Sequence, residues 1–329
     1  MNEKLQARVD LFLTNTESIK GSFTWQNSFI KRLAALLFAS QDQPIDIQGI
    51  RASHDLIKGE TSVVSMFRGN SSLTLSALLA LSEDREGELA RTLLVYEAMK
   101  SIKFRASDFL VIAAYFIAVN AREETYGHVI ARTKTFYEGM KEQHKFITSA
   151  DDYIFSALLA LSDLEVAGTL QQLEVLHESL KLEYRHGNSI QSLSQVLILS
   201  KNTAETLARL RKLRLELKAM GLRMDKEYTL SSMGVLALLP VEEKAICQAI
   251  KEVHDCLRQH KSFGRFSVTN QEILILASAL VAFDHLDEFK SGIVTAAIST
   301  SLLNIIIAEQ TAIAVAAAAS AAAASGSNG

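Results

Sequence analysis

The chain has 329 residues, of which 48% are hydrophobic and 22% are charged, so it can bury a substantial core and is not a disordered polypeptide. Its formal net charge of −3 excludes a bulk attraction to nucleic acid or to anionic lipid. The two prolines, Pro44 and Pro240, and the scarcity of segments with strand-like alternation favour an all-α fold.

The first predicted element is an N-terminal cap helix within residues 1–27, whose apolar side would cover the first repeat of the chain. It is followed by the loop Gly21–Asn27, which contains the only tryptophan, Trp25. This indole either anchors the cap on the rest of the protein or offers a platform to a ligand.

Beyond the cap, one helical hairpin repeats with variation. Residues Tyr153–Lys181 predict a short apolar helix with small residues at its centre, a polar turn and a longer amphipathic helix. The short helix recurs about every 40 residues as an apolar residue followed by two mostly small ones. Its copies are Leu33-Ala34-Ala35, Leu75-Ser76-Ala77, Ile112-Ala113-Ala114, Phe155-Ser156-Ala157, Leu193-Ser194-Gln195, Leu276-Ala277-Ser278 and the degraded Ser232-Met233-Gly234.

The longer helix has its own recurring pattern, in which an aromatic or imidazole side chain precedes an acid and, three residues after the acid, a base. Its copies are His54-Asp55-x-x-Lys58, Tyr96-Glu97-x-x-Lys100, Tyr137-Glu138-x-x-Lys141, His177-Glu178-x-x-Lys181, His254-Asp255-x-x-Arg258 and the damaged Arg214-Leu215-x-x-Lys218.

A single hairpin of this kind cannot bury both of its apolar faces, so neighbouring hairpins must cover one another. We therefore predict an α/α superhelix, a solenoid of about seven stacked hairpins, with a closed α/α toroid as the alternative. The domain would span residues 1–308, with repeats near 28–68, 72–104, 107–146, 149–184, 189–224, 228–263 and 267–308.

Two later stretches differ from the rest. Residues 209–226 form a strongly basic helix, which is either a solvated, salt-bridged face or a patch for nucleic acid or an acidic partner. The nearly uncharged run Ile293–Ala308 is short for a bilayer span, although stacking on a membrane or on a second copy of the chain is an alternative. The alanine-rich tail, 309–329, has little to bury, and we expect it to be frayed or disordered.

The repeated polar set is the strongest candidate for a binding site. In stacked hairpins its members would form a row that hydrogen-bonds to a peptide or to another polar ligand. The competing interpretation is structural: each aromatic covers the edge of the core, and each acid pairs with its base on the surface. Sites often interrupt a repeat, so departures from the pattern also count. The candidates are His54, Tyr96, Tyr137, His177, His254, Arg185, His186 and Arg214.

Motifs for catalysis are missing: no phosphate-binding, dinucleotide-binding, zinc-protease or nucleophile-elbow sequence occurs. Cys256 and His260 have a spacing that two metal ligands could use, but zinc needs three or four, so we expect no metal and no cofactor. Cys247 and Cys256 lie on one predicted helix and point in different directions, which excludes a disulfide between them and fits a reducing compartment. The N-terminus has no secretory signal, and we expect a cytoplasmic protein.

The repeated segments SALLALSED (Ser76–Asp84) and SALLALSDLE (Ser156–Glu165), with YEAMK, YEGMK and HESLK, resemble a family of uncharacterised proteins, mainly from Gram-positive bacteria. That family is known only as a domain of unknown function. The resemblance covers the chain up to about Ala308 and implies a bacterial cytosolic protein with no stated activity. The hairpin length also resembles the armadillo, HEAT and tetratricopeptide class, although none of their consensus sequences is present.

Three functional hypotheses follow. The first is a non-catalytic scaffold that binds a protein or a peptide on an extended surface. The second is an enzyme or a small-ligand binder on a closed α/α toroid, and the third is a membrane-associated or oligomeric protein that uses the C-terminal apolar helix. Whether the protein forms homo-oligomers is open at this stage.

Overall fold

We describe a computed structural model covering residues 1–185, 187–200, 202–265, 267–290, 305–318 and 320, with all of their side chains except those of residues 227 and 287–290. Within these residues the structure contains helices and no strand, which confirms the all-α prediction. The helices are α1 Glu3–Ile19, α2 Ser28–Ser40, α3 Ile47–Glu60, α4 Ser72–Ala80, α5 Arg85–Ser101, α6 Asp108–Asn120, α7 Tyr126–Gln143, α8 Tyr153–Leu161, α9 Val166–Lys181, α10 Gly187–Leu197, α11 Thr203–Ala219, α12 Glu227–Leu238, α13 Glu243–Gln259, α14 Asn270–Lys290 and α15, residues 305–318.

The helices from α2 to α13 alternate between two types. The first helix of each pair is apolar on nearly all sides and buried, as α8 shows. The second is longer and amphipathic and buries one stripe, as in α9. Polar side chains start several of the helices: Asp46 accepts a hydrogen bond from the Gly49 amide at 2.8 Å, and Ser107 accepts one from the Leu110 amide at 3.1 Å.

The chain divides into two compact units. Unit 1 comprises Met1–Leu13 and Ala167–Gln310, and unit 2 comprises Thr14–Val166 and Thr311–Gly329. In unit 2, α2 packs on α4 and α6 packs on α8. In unit 1, α10 packs on α12 and α12 packs on α14. Several first helices of successive hairpins therefore contact each other within their own unit, and the single domain expected over 1–308 stays a prediction.

Small residues lie where the first helices approach their neighbours. Four of them, Ala35, Ala77, Ala114 and Ala157, are fully buried. Gly234 in α12 takes the same place in its helix, and a Cβ atom there would lie 2.7 Å from Leu193 Cδ1 in α10. A larger residue at this position would therefore require at least the Leu193 side chain to shift.

Two arginines make the same set of contacts in different units. Arg132 in α7 donates to the carbonyls of Ala160, Ser162 and Leu164 at 3.1, 3.1 and 2.8 Å. These carbonyls lie at the C-terminal end of α8, where a helix has no backbone donors for them.

Arg209 in α11 does the same at the end of α12. It donates to the carbonyls of Ala237, Leu239 and Val241 at 3.2, 2.5 and 2.6 Å. In both cases the acceptors follow the arginine by 28, 30 and 32 residues, so the two hairpin pairs share one backbone register. We call these two residues the clamp arginines.

The N-terminal helix makes contacts in both units. In unit 1, Phe12 packs on Phe263 with ring centroids 5.8 Å apart, and Asn2 donates to Asp284 at 3.1 Å. In unit 2, Asn15 donates to the carbonyl of Gln43 at 3.0 Å. Within unit 1, the N-terminal part of α1 therefore lies on the hairpin of α13 and α14, a contact that the sequence did not predict.

The C-terminal prediction needs a correction. Residues 305–318 are helical, and Ala314 and Val315 are buried, so residues 309–318 of the tail expected to be frayed or disordered form a packed helix. Its alanines pack instead of being solvated. Residues 319 and 321–329 of the predicted tail lie outside the described residues. Most of the predicted apolar helix Ile293–Ala308 lies outside the described residues. Within the described residues, no helix has both the length and the apolar character needed to span a membrane.

Candidate functional site

The row positions of unit 2 lie against aromatic rings that follow the preceding long helix. Tyr96 meets Phe67 edge to face, with centroids 4.9 Å apart, and Tyr137 meets Phe104 at 5.9 Å. Tyr137 also meets Tyr153, at the start of the next helix, at 4.8 Å. We call this ring-on-ring packing the junction contact, because it joins consecutive hairpins.

The tyrosines of the row are buried, at 4% and 7% exposure for Tyr96 and Tyr137. Burial raises the pKa of both phenols, since it penalises the phenolate. Lysine ammonium groups cover their rings: Lys100 Nζ lies 5.3 Å from the Tyr96 centroid, and Lys141 Nζ lies 5.4 Å from that of Tyr137. The base of the repeated pattern thus contributes to the junction contact.

The acid and base pair as the pattern predicts in two copies, Glu97–Lys100 at 3.0 Å and Glu178–Lys181 at 2.7 Å. In two other copies the acid pairs with a lysine four residues earlier. Glu138 Oε1 lies 3.2 Å from Lys134 Nζ, and the Asp255 carboxylate forms an ion pair with Lys251. The base of the last copy, Arg258, instead donates to the carbonyls of Phe263 and Val268, both at 3.0 Å.

In unit 1 the histidines of the row also make contacts with other residues of the protein. His254 is within 2.7 Å of Asn270 Oδ1 and 3.0 Å of Asp255 Oδ1. His177 is 4% exposed, and its Nδ1 lies 3.6 Å from Glu178 Oε1. These two histidines lie against the edge of the core, and each meets the acid of its own copy.

Arg214, which looks like a damaged copy, keeps the junction contact in another chemical form. Its guanidinium lies 4.7 Å from the centroid of Tyr184, and its Nη1 lies 3.6 Å from Glu183 Oε2. A cation–π contact thus takes the place of the contact between two aromatic rings. Burial raises the pKa of Tyr184 to about 12, against an opposing effect of Arg214. Arg185 is exposed, and His186 lies outside the described residues.

The predicted basic helix 209–226 corresponds to α11, which ends at Ala219, and four of its cations share two acids. Arg211 donates to Glu183 Oε1 at 2.7 Å, beside Arg214. The clamp arginine Arg209 and Lys212 lie 3.7 and 3.9 Å from Glu243 Oε1. These pairs correspond to the salt-bridged face considered for this helix.

The first member of the row differs from the others. At His54 the junction contact is made by Trp25, whose indole stacks on the imidazole with centroids 5.6 Å apart and planes at 30°. Phe23 meets Trp25 edge to face at 5.6 Å. Phe23 has a left-handed backbone, with φ of 49°, which turns the loop towards α3. Trp25 remains 64% exposed, far more than any other aromatic of a junction contact.

A cleft of about 270 Å³ opens at this place in unit 2, and we call it the tryptophan cleft. One exposed face of α3 and the loop before α2 form its walls, since four of its residues recur at helical spacing. It is lined by Phe23, Trp25, Arg51, His54, Asp55 and Lys58.

The electrostatics of the cleft are set by three side chains without an ion-pair partner among the described residues. Arg51 lies over the Phe23 ring at 5.9 Å, and Asp55 and Lys58 are exposed. Burial lowers the pKa of His54, and Lys58 lowers it further, while Asp55 raises it. The imidazole is also within 3.0 Å of Ser72 Oγ, at the start of α4.

The row and Trp25 were both candidates from the sequence, but their meeting was not predicted. Phe23 and Arg51 were missed altogether. A signal for Arg51 existed, because it precedes His54 as Lys134 precedes Tyr137, and Lys134 Nζ lies 4.8 Å from the Phe104 ring. Aligning the copies around the aromatic position would have shown this.

The family model described as "Protein of unknown function (DUF4003)" matches residues 15–312. The chain belongs to this family. The resemblance inferred from the repeated segments is thereby confirmed, and the match includes every lining residue of the tryptophan cleft. No curated protein and no solved structure matches the chain.

A second polar cluster in this family member is wholly internal. Glu309 in α15 is 1% exposed and accepts hydrogen bonds from Ser231 Oγ at 3.0 Å, Ser232 Oγ at 2.7 Å and Gln310 Nε2 at 2.6 Å. Burial raises the pKa of its carboxyl to about 7, although the two serines and Gln310 oppose the rise. Among the described residues, no group of three or more His, Cys, Asp or Glu is placed to hold a metal ion.

Proposed function

We propose that this protein is a helical-repeat scaffold that binds a partner protein through a peptide segment, and that the tryptophan cleft is a binding site for that segment. The observation that carries the proposal is the exposed Trp25 stacked on His54 beside three charged side chains, Arg51, Asp55 and Lys58, that have no ion-pair partner among the described residues. Exposed aromatic and arginine side chains are the residues that most often anchor protein partners.

The row supports this proposal by contrast. At Tyr96, Tyr137 and Arg214 the corresponding surfaces are covered by rings and cations of the protein itself. In a stack of hairpins, an interior copy has a neighbour that completes its junction contact. The first copy is preceded by a loop and not by a hairpin, so its surface stays open to a partner.

A pull-down from cells of the source organism tests the proposal. The bait would be the full chain, compared with Trp25→Ala and with the control Phe146→Ala, which removes an aromatic that is 98% exposed and distant from the cleft in sequence. We expect a stoichiometric partner that the wild type and Phe146→Ala retain and Trp25→Ala loses. Equal recovery with all three baits would contradict the use of the cleft.

A further inference from the structure

We infer that the tryptophan cleft selects a partner segment in which a carboxylate side chain stands next to an aromatic one. This inference rests on the proposed function and specifies the chemistry of the ligand. It uses three properties of the cleft: its uncompensated charge, its exposed indole and its size.

The charge favours an anionic group. In the interior copies the corresponding lysines cover tyrosine rings, as Lys100 and Lys141 do. At the first copy the imidazole takes the place of the phenol, and Lys58 lines the cleft together with Arg51. Two cations therefore face one acid, Asp55, and a carboxylate between Arg51 and Lys58 would complete the pairing that other copies make internally.

Asp55 restricts the kind of anion. It lies one helical turn from both cations on the exposed face of α3, so a group with two negative charges, such as a phosphate, would meet a like charge at close range. A single carboxylate can bind the cations and leave Asp55 to accept a backbone N–H of the same segment. The cleft is thus better suited to an acidic side chain than to a nucleic acid or a phosphorylated ligand.

The indole favours an aromatic neighbour of that carboxylate. One side of Trp25 is stacked on His54 and its edge is near Phe23, yet 64% of the residue is exposed. A second ring can pack there in an offset or edge-to-face arrangement, which adds about 0.5–1.5 kcal/mol beyond the buried area.

The size favours side chains over a complete small molecule. Pockets for drug-sized ligands usually enclose about 300–1,000 Å³ and bury most of the ligand. At about 270 Å³, the tryptophan cleft has room for one or two side chains, with the rest of the segment lying over the surface.

The test is a selection of random twelve-residue peptides on the full-length protein, with the Trp25→Ala variant used to discard peptides that bind elsewhere. We expect the retained peptides to be enriched in Asp or Glu within two positions of Tyr, Phe or Trp. The double variant Arg51→Glu/Lys58→Glu should shift the enrichment to Lys and Arg. The control Arg122→Glu/Lys145→Glu changes the net charge equally, in the same unit, and should leave the enrichment unaltered.

For a selected peptide whose aromatic residue is Tyr or Phe, affinity can then be measured without a label, because Trp25 is the only tryptophan of the protein. Binding should shift its emission to shorter wavelength, and replacing the acid of the selected peptide by lysine should weaken binding at least tenfold. Circular dichroism would verify that each variant is folded, as expected for changes at exposed positions.

The results that contradict the inference differ from those that contradict the proposed function. Peptides that need Trp25 but show no acidic enrichment, or an enrichment that the double reversal does not change, overturn the assigned chemistry and leave a peptide site. If no selected peptide depends on Trp25 for binding, both the inferred ligand chemistry and the proposed function are overturned. Adenosine monophosphate provides the remaining arm: binding at Trp25 as tight as that of the selected peptide would replace the peptide by a small planar anion.

Discussion

The first and third junction contacts of unit 2 use the same position of the hairpin for opposite purposes. At Tyr137 the ring is 7% exposed, packs on Phe104 and Tyr153, and is covered by Lys141. At His54 the packing ring is Trp25, which is mostly exposed, and the nearby charges have no ion-pair partner among the described residues. The same position of the repeat is therefore buried where neighbouring rings cover it, and it lines an exposed cleft where the ring beside it is itself exposed.

Truncation of the two rings tests whether the buried contact at Tyr137 contributes more to the free energy of unfolding than the exposed contact at His54. Tyr137→Ala removes a buried ring from between two others and should lower the free energy of unfolding by about 4 kcal/mol. His54→Ala removes a half-exposed ring and should cost about 1 kcal/mol. Urea denaturation of both variants measures the difference. Equal losses would show that the two contacts are not distinct.

Glu309 and Asp55 are carboxyl groups in contrasting environments, since Glu309 is buried in the interior and Asp55 is exposed beside Arg51 and Lys58. With a pKa of about 7 in the folded protein and about 4.5 when solvated, the unfolded chain loses this proton first as pH rises. Stability should therefore fall between about pH 4.5 and 7, by about 3 kcal/mol in total, and then stay constant.

The Glu309→Gln variant should remove that fall, so that it is more stable than the wild type at pH 8 and not at pH 4. Asp55→Asn, the surface counterpart, should leave the curve unchanged. Urea denaturation across this range provides the measurement. A parallel pH dependence in wild type and Glu309→Gln would mean that the carboxyl is ionised without penalty.

The clamp arginines make the same hydrogen bonds to backbone carbonyls in both units, so their removal should have similar effects in the two units. Arg132→Ala and Arg209→Ala should each lower the free energy of unfolding by about 2 kcal/mol, because three carbonyls lose a charged donor. Lysine at either site cannot donate in the same fork and should rescue little. Arg122→Ala, at an exposed arginine, is the control and should change thermal stability by less than about 0.5 kcal/mol.

The smallest expected effect is a pH dependence of the Trp25 fluorescence, caused by protonation of His54. Burial and Lys58 lower the pKa of His54, so the imidazole takes up its proton below its usual value of 6.5. Because protonation is disfavoured in the stacked arrangement, the Trp25 emission should be constant above pH 6.5 and change below it. His54→Gln should give a flat profile in the same fluorescence titration. A midpoint above 6.5 would contradict the environment assigned to His54.

The all-α class and the alternation of short apolar and longer amphipathic helices could be predicted from the sequence, although the basic helix predicted over 209–226 ends at Ala219. The two alternating patterns mark the first and second helices, and the positions of Ala35, Ala77, Ala114 and Ala157 are buried as small residues at helix contacts should be. The alanine-rich tail was harder, because alanine favours helix but does not reveal whether there is a surface to pack on. Glu309 and Gln310 are polar residues at the start of this tail, and the sequence does not reveal that they are hydrogen-bonded in the interior.

The candidate site could be predicted only in part for a related reason. The repeated pattern indicates that His54, Tyr96 and Tyr137 occupy equivalent positions in their hairpins. It does not indicate which of these side chains is covered by a neighbouring ring. Arg214 shows the same limit from the other side, since its departure from the pattern suggested a function and its ring contact is structural.

Local spacing along the chain specifies the pairs of helices, the small residues at their contacts and the positions that carry aromatic and charged side chains. Local spacing does not specify which rings meet, which carbonyls the clamp arginines reach or which charges lack an ion-pair partner among the described residues. Those outcomes depend on segments about 30 residues apart in the chain, and the energy of such contacts is set by burial and distance, which local spacing does not encode.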